Sequence, residues 1–184
     1  MKRRKFLAGT LAASTAVQIG VTHATNLPKK GFKVASLAYR QKEAIIYGDV
    51  PVDFKLLGAD TDERLSIFIS TNNRKGHGAP PLHVHRTFDE FFCVLSGDFV
   101  FMLDGERISA QTGDFIYIPR GVKHTFTCTN DQPSTLLVGI TPSKGMEDYF
   151  AEMGRVLTPK GPDMAAMAAA YKKYNSEILG PPME

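Results

Sequence analysis

Cysteine is scarce: Cys93 and Cys128 are the only two in 184 residues, too few for a disulfide-stapled scaffold. Also missing is any run of about 20 strongly apolar residues, the length a membrane-spanning helix needs. The longest weakly polar stretch, 6–21, carries Thr10, Ser14, Thr15 and Gln18. Basic surface is lacking too. Lys2, Arg3, Arg4 and Lys5 account for the formal charge of +3; without them 18 basic residues face 19 acidic ones, a net charge of −1. That balance leaves no electrostatic footprint for a nucleic acid. Internal repeats, low-complexity tracts and, over 33–139, any sustained helical period are absent as well.

At this length, with 43% hydrophobic residues, the chain can bury one sizeable core. Residues 1–24 read as an export signal: the basic cluster precedes a modest apolar stretch, and Thr22-His23-Ala24 offers a small-x-Ala cleavage site before Thr25. Arg3-Arg4-Lys5-Phe6-Leu7 resembles a twin-arginine signal. The expected location is the periplasm or another exported compartment, with no membrane association after cleavage. Residues 25–31, with Pro28 and two lysines, read as a linker.

Residues 32–142 form the expected main domain. Short β-type runs at 33–39, 44–48, 54–57, 64–70, 91–95, 99–103, 115–118, 123–127 and 135–140 are separated by turn residues, a spacing that predicts a mainly β sandwich or barrel. Gly97, Gly105, Gly113 and Gly121 sit where tight reversals call for positive φ, which predicts consecutive antiparallel hairpins. After Pro142 the period changes. Residues 143–184 are expected to be C-terminal helices, the first capped by Ser143 with Met146, Tyr149, Phe150 and Met153 on one face. The second is capped by Asp163 and runs to about Ile178. Met164, Met167, Ala168 and Tyr171 on its stripe read as packing.

The chemistry lies in the histidines. His83 and His85 are one residue apart, so on an extended strand both side chains share a face. Such a pair by itself is a common strand coincidence, but here Glu90 and His124 follow. Glu90 falls on the wrong parity for a continuous strand, so a turn through residues 86–89 is required to bring its carboxylate back. A barrel can set the strand of His124 beside the first pair. Three imidazoles and one carboxylate suit a divalent transition ion (iron, manganese, cobalt, nickel, copper or zinc) and disfavour calcium. His77, in a glycine-flanked loop, reads as a solvated surface residue.

His83-x-His85-x4-Glu90-x6-Gly97 followed by Gly113-x5-Pro119-x-Gly121-x2-His124 resembles the paired motifs of the cupin family. The resemblance implies a double-stranded β-helix or jelly-roll barrel holding one divalent metal through His83, His85, Glu90 and His124. Two positions depart from the pattern. The glycine before His83 is displaced to Gly76 or Gly78, and Cys128 stands where the family closes with Asn.

Strand parity places Phe92 and Val94 on the face of Glu90, and Phe126 and Cys128 on the face of His124. Together they predict an apolar substrate pocket, with ordinary barrel core as the plainer reading of each. Cys93 faces away, so the two cysteines are not expected to pair.

The stretch Pro81-Leu82-His83-Val84-His85 and the run Asp89-Glu90-Phe91-Phe92 look similar to single-domain quercetinases. That likeness implies a dioxygenase acting on a small hydroxylated aromatic of flavonol type, with Glu90 as the catalytic base. A metal-dependent isomerase or decarboxylase, or a non-catalytic metal- or ligand-binding module, is the alternative. Cupins commonly pair, so the implied partners are a small-molecule substrate and a second copy of the chain.

Overall fold

A computed structural model describes residues 30–158 and 161–183. The expected signal segment and most of the linker therefore lie outside the described residues.

The chain is folded as β1 (Ile45–Tyr47), β2 (Val50–Leu56), a 3-10 turn at Gly58–Asp60, β3 (Ser66–Asn73), β4 (Pro81–His85), β5 (Asp89–Ser96), β6 (Asp98–Leu103), β7 (Glu106–Gln111), β8 (Phe115–Ile118), β9 (His124–Cys128) and β10 (Ser134–Thr141). There follow α1 (Met146–Val156), the short β11 (Leu157–Thr158) and β12 (Gly161–Pro162), α2 (Met164–Lys173) and β13 (Ser176–Pro182).

Two antiparallel sheets face each other in a jelly-roll barrel with helices at one end. One runs β1-β2-β3-β10-β5-β8, the other β13-β4-β9-β6-β7. The core between them is dense in aromatic side chains: Phe54, Phe99, Phe101 and Leu136 are almost fully buried, each removing enough apolar area from water to favour folding by about 1.5–3 kcal/mol.

The expected hairpins need correction. Only the turn at Asp104-Gly105 closes one: with φ of 47° and 93°, both residues are left-handed, and Leu103 pairs with Glu106 across the two-residue loop. The turns at Gly97, Gly113 and Gly121 instead carry the chain from one sheet to the other. A positive-φ glycine serves either purpose, so the residue type alone does not say which.

Three further expectations change. Residues 33–39 form no strand; the side-chain amide of Gln41 continues the pairing edge of β2, donating to the Val52 carbonyl and accepting from the Phe54 amide. Gly145, in the left-handed region, precedes α1 at the position expected for Ser143. Asp163 does cap α2, accepting from the amides of Ala165 and Ala166, but that helix ends at Lys173 and residues 176–182 become β13, the neighbour of β4. Among the described residues the 143–184 segment is thus two helices, the short β11-β12 pair between them and a strand of the barrel. α1 buries Met146, Tyr149 and Met153, and α2 buries Met167, Ala170 and Tyr171, closing one mouth of the barrel.

Candidate metal centre

β4 begins at Pro81, where a strand tolerates a missing N–H, and lies between β13 and β9. Its two-residue period turns His83 and His85 to the interior, with Nε2 atoms 3.1 Å apart. His124 opens β9 and is the register partner of His83.

Glu90 reaches the same point from the opposite sheet. The chain bends at residues 86–88 because β4 and β5 belong to different sheets, and this bend supplies the turn that its parity demands. On β5 Glu90 points inward, its Oε2 3.2 Å from His124 Nε2 and 3.5 Å from His85 Nε2. The two supporting turns are tied together. Asp89 accepts from the Arg120 amide and Nε, each at 2.8 Å, and the Gly121 amide donates to the His85 carbonyl at 2.7 Å.

Each imidazole is anchored through its other nitrogen. His83 Nδ1 lies 2.7 Å from the Pro81 carbonyl and His124 Nδ1 3.0 Å from the Val122 carbonyl. A carbonyl only accepts, so both Nδ1 atoms carry the proton and both Nε2 atoms present a lone pair. His85 Nδ1 meets the Ser176 hydroxyl at 2.7 Å, and that hydroxyl donates onward to the Tyr174 carbonyl, which assigns His85 the same tautomer.

Three lone pairs and a carboxylate oxygen therefore converge with no proton of their own between them. Such a set is repulsive unless a cation lies among it. An ion about 2.1 Å from each donor sets neighbouring donors roughly 3.0–3.4 Å apart; the spacings of 3.1 and 3.2 Å fall within that range and the third, 3.5 Å, lies just beyond it. All four donor atoms lie within 4.8 Å of one another, and all four residues are buried. The residues fit a divalent transition ion.

Electrostatics agree. Burial, followed by the neighbouring His124 and His85, pushes His83 well below the usual imidazole range. Burial also lowers His85, against the opposing pull of Glu90. Burial opposes ionisation of Glu90 as well, yet His85 and His124 override it and hold the carboxyl far below the usual carboxylate range. His83, His85 and Glu90 thus favour their deprotonated forms, as metal binding requires.

The centre forms one wall of a cavity of about 70 Å³ lined by Val52, Phe68, Phe92, Phe126, Val138 and three tyrosines, among others. Phe92 and Phe126 are thus in the cavity wall. Val94 and Cys128 point to the same interior but pack in the core and do not line the cavity. The position where the chain leaves the family pattern is therefore a core position. Both thiols are free. His77 is half-exposed and bonded to Asp49.

Sequence reasoning missed Ser176, which was expected on a helix, and Tyr47, Tyr149 and Tyr171, which reach the cavity from β1, α1 and α2. It also missed Phe88, stacked on the His85 ring at 4.1 Å. The stripe that carries Tyr149 and Tyr171 reads equally well as packing.

The family described as "Cupin domain" matches residues 73–140, the stretch that holds all four ligands. These residues are a cupin domain. Two curated proteins are similar to part of the chain. Quercetin 2,3-dioxygenase of Bacillus subtilis is 34% identical over 74 residues, 40% of this chain and 21% of the relative. Oxidoreductase iacF of Pestalotiopsis fici is 39% identical over 56 residues, 30% of this chain and 28% of the relative. The chain thus spans under a third of the length of each. Among solved structures, KdgF from a Halomonas species gives a TM-score of 0.46 at 18% identity, over 58% of this chain and 86% of that chain.

Proposed function

We propose that this chain is a metal-dependent dioxygenase acting on a small hydroxylated organic compound. The observation that carries this reading is the convergence of three oriented Nε2 lone pairs and an ionised Glu90 carboxylate on the wall of a buried, mainly apolar cavity. The likeness to a quercetin 2,3-dioxygenase over 74 residues favours oxygen chemistry.

His83, His85, His124 and Glu90 hold the ion. When bound, a first-row ion supplies Lewis-acid polarisation and, if redox-active, electron exchange with dioxygen. Glu90 is ionised and faces the cavity, so it takes the proton of a substrate hydroxyl that enters beside it. Phe92 and Phe126 keep water away from that transfer.

The cavity also bears on size. At about 70 Å³ it is several times smaller than the roughly 300–1,000 Å³ of usual ligand pockets. A single ring or a short enediol suits it better than a flavonol, which would require α1 and α2 to move aside.

Oxygen uptake by the metal-reconstituted chain, measured with catechols, enediols and flavonols, tests the reading. Uptake coupled to consumption of a single-ring substrate is expected. Turnover undiminished under anaerobic conditions would reassign the chain to isomerase or decarboxylase chemistry. Chelation that changes thermal stability without affecting any reaction would leave a binding module.

Export through the twin-arginine-like segment is part of the proposal, checked by fractionation of cells making the full chain. So is pairing of two copies, supported by the exposed Phe115 and Tyr117 on the edge strand β8 and checked by mass in solution.

A further inference from the structure

Tyr47, Tyr149 and Tyr171 come from three separate elements, yet all line the cavity that the metal centre borders. Tyr171 is central. Its ring stands edge-on to His83, with centroids 5.4 Å apart, and edge-on to Tyr149 at 5.8 Å. The Tyr47 and Tyr149 hydroxyls lie close enough to that of Tyr171 to influence its ionisation.

Three hydroxyls carry three protons, and contacts of Tyr171 with its two neighbours can use at most two of them. Among the described residues no main-chain group and no other side chain takes the third. The other polar groups of the wall away from the metal ligands, Ser70 and Asn73, are bonded to each other. A polar cluster with an unmatched donor, set in an otherwise apolar cavity that also holds a metal centre, has the form of a ligand subsite. Burial raises all three phenols well above their ordinary range, so they act as neutral donors.

We propose that Tyr47, Tyr149 and Tyr171 form a subsite that receives the far oxygen of a small two-oxygen substrate while its near oxygen faces the His83, His85, Glu90 and His124 centre. The inference rests on the metal-centre reading and adds to it the substrate's shape: an acceptor oxygen at each end of a short molecule. An apolar molecule would leave the tyrosine donor unpaired and is selected against.

The test uses the full chain loaded with Co²⁺, with catechol and malonate titrated against the visible cobalt band. The variants are Tyr47→Phe, Tyr149→Phe and Tyr171→Phe. Each is expected to weaken probe binding about three- to tenfold, the loss of one net hydrogen bond. Cobalt affinity, from competition with a chelating dye, and Tm are expected to stay at wild-type values. Tyr47 is only half-buried, so its variant keeps the test available if the other two fail to fold. Unchanged probe binding in all folded variants, or binding of neither probe to the wild-type chain, overturns the subsite. So does a loss of probe binding matched by an equal loss of cobalt affinity, which would assign the tyrosines a structural role. A wild-type chain that takes up no cobalt sinks the metal-centre reading, and this one with it.

Discussion

His83 and His124 are direct cross-strand partners, paired in register between β4 and β9 with ring centroids 4.2 Å apart. One ligand of the first motif and the ligand of the second are thus fixed relative to each other by a single ladder position. His85 follows two residues along β4. Glu90 is the one donor that depends on a turn and on the opposite sheet, so the site tests whether the barrel has closed.

The Ser176 hydroxyl orients His85 from β13. Ser176→Ala removes the acceptor for its Nδ1 proton and frees the ring to change tautomer. Loss of such a partner typically weakens metal binding about 10- to 100-fold. Competition of the variant with a chelating dye is expected to show that loss while the Tm of the metal-free chain moves by no more than a degree or two. Wild-type affinity in the variant would mean that β13 is only packing.

Asp89 ties the two turns that support the site, and the Arg120 side chain, aided by its amide, overcomes burial and lowers the Asp89 carboxyl to about 2. A depressed carboxylate stabilises the fold above its unfolded value, near 3.8, and the contribution disappears as pH falls through about 2. Arg120 is about half-exposed, so solvent screens the pair and its contribution is small. Denaturant titration of the metal-free chain should show Asp89→Asn slightly weaker at pH 6, with the deficit shrinking below pH 4. A deficit that stays constant into acid would exclude the ion pair as its source.

The sheet-crossing turns can be tested at two glycines of similar φ. Gly97 has φ of 86°, and an added Cβ would lie 2.0 Å from Ser134 Oγ; Gly113 has φ of 97° and nothing within 4 Å. Replacement of Gly113 by Ala costs only the backbone strain, of the order of 1–3 kcal/mol. Replacement of Gly97 by Ala adds the clash and should unfold at clearly lower denaturant. Equal midpoints for the two variants would show that Ser134 moves aside freely.

How far the sequence reveals this architecture depends on the kind of signal. The one-residue spacing of His83 and His85 carries strand parity directly, and the run 115–118 was expected at the bounds found for β8. β7 escaped notice because it holds only Ile108 and Ala110 among polar residues; its backbone pairs with β6 because the Asp104-Gly105 turn delivers it there. β13 escaped because the helical stripe of α2 continues past its true end, and a strand with Gly180, Pro181 and Pro182 has low intrinsic preference for extended pairing. Tyr149 and Tyr171 read as packing, since periodicity reports which face is buried and says nothing of the cavity behind it.

The central claim is that His83, His85, Glu90 and His124 hold one divalent ion. Elemental analysis of the purified chain beside His124→Ala, with circular dichroism to confirm the fold, tests it most directly. The account predicts about one transition ion per wild-type chain and close to none in the variant, together with a wild-type Tm that falls on chelation. A folded His124→Ala chain that keeps its full complement of metal would contradict it.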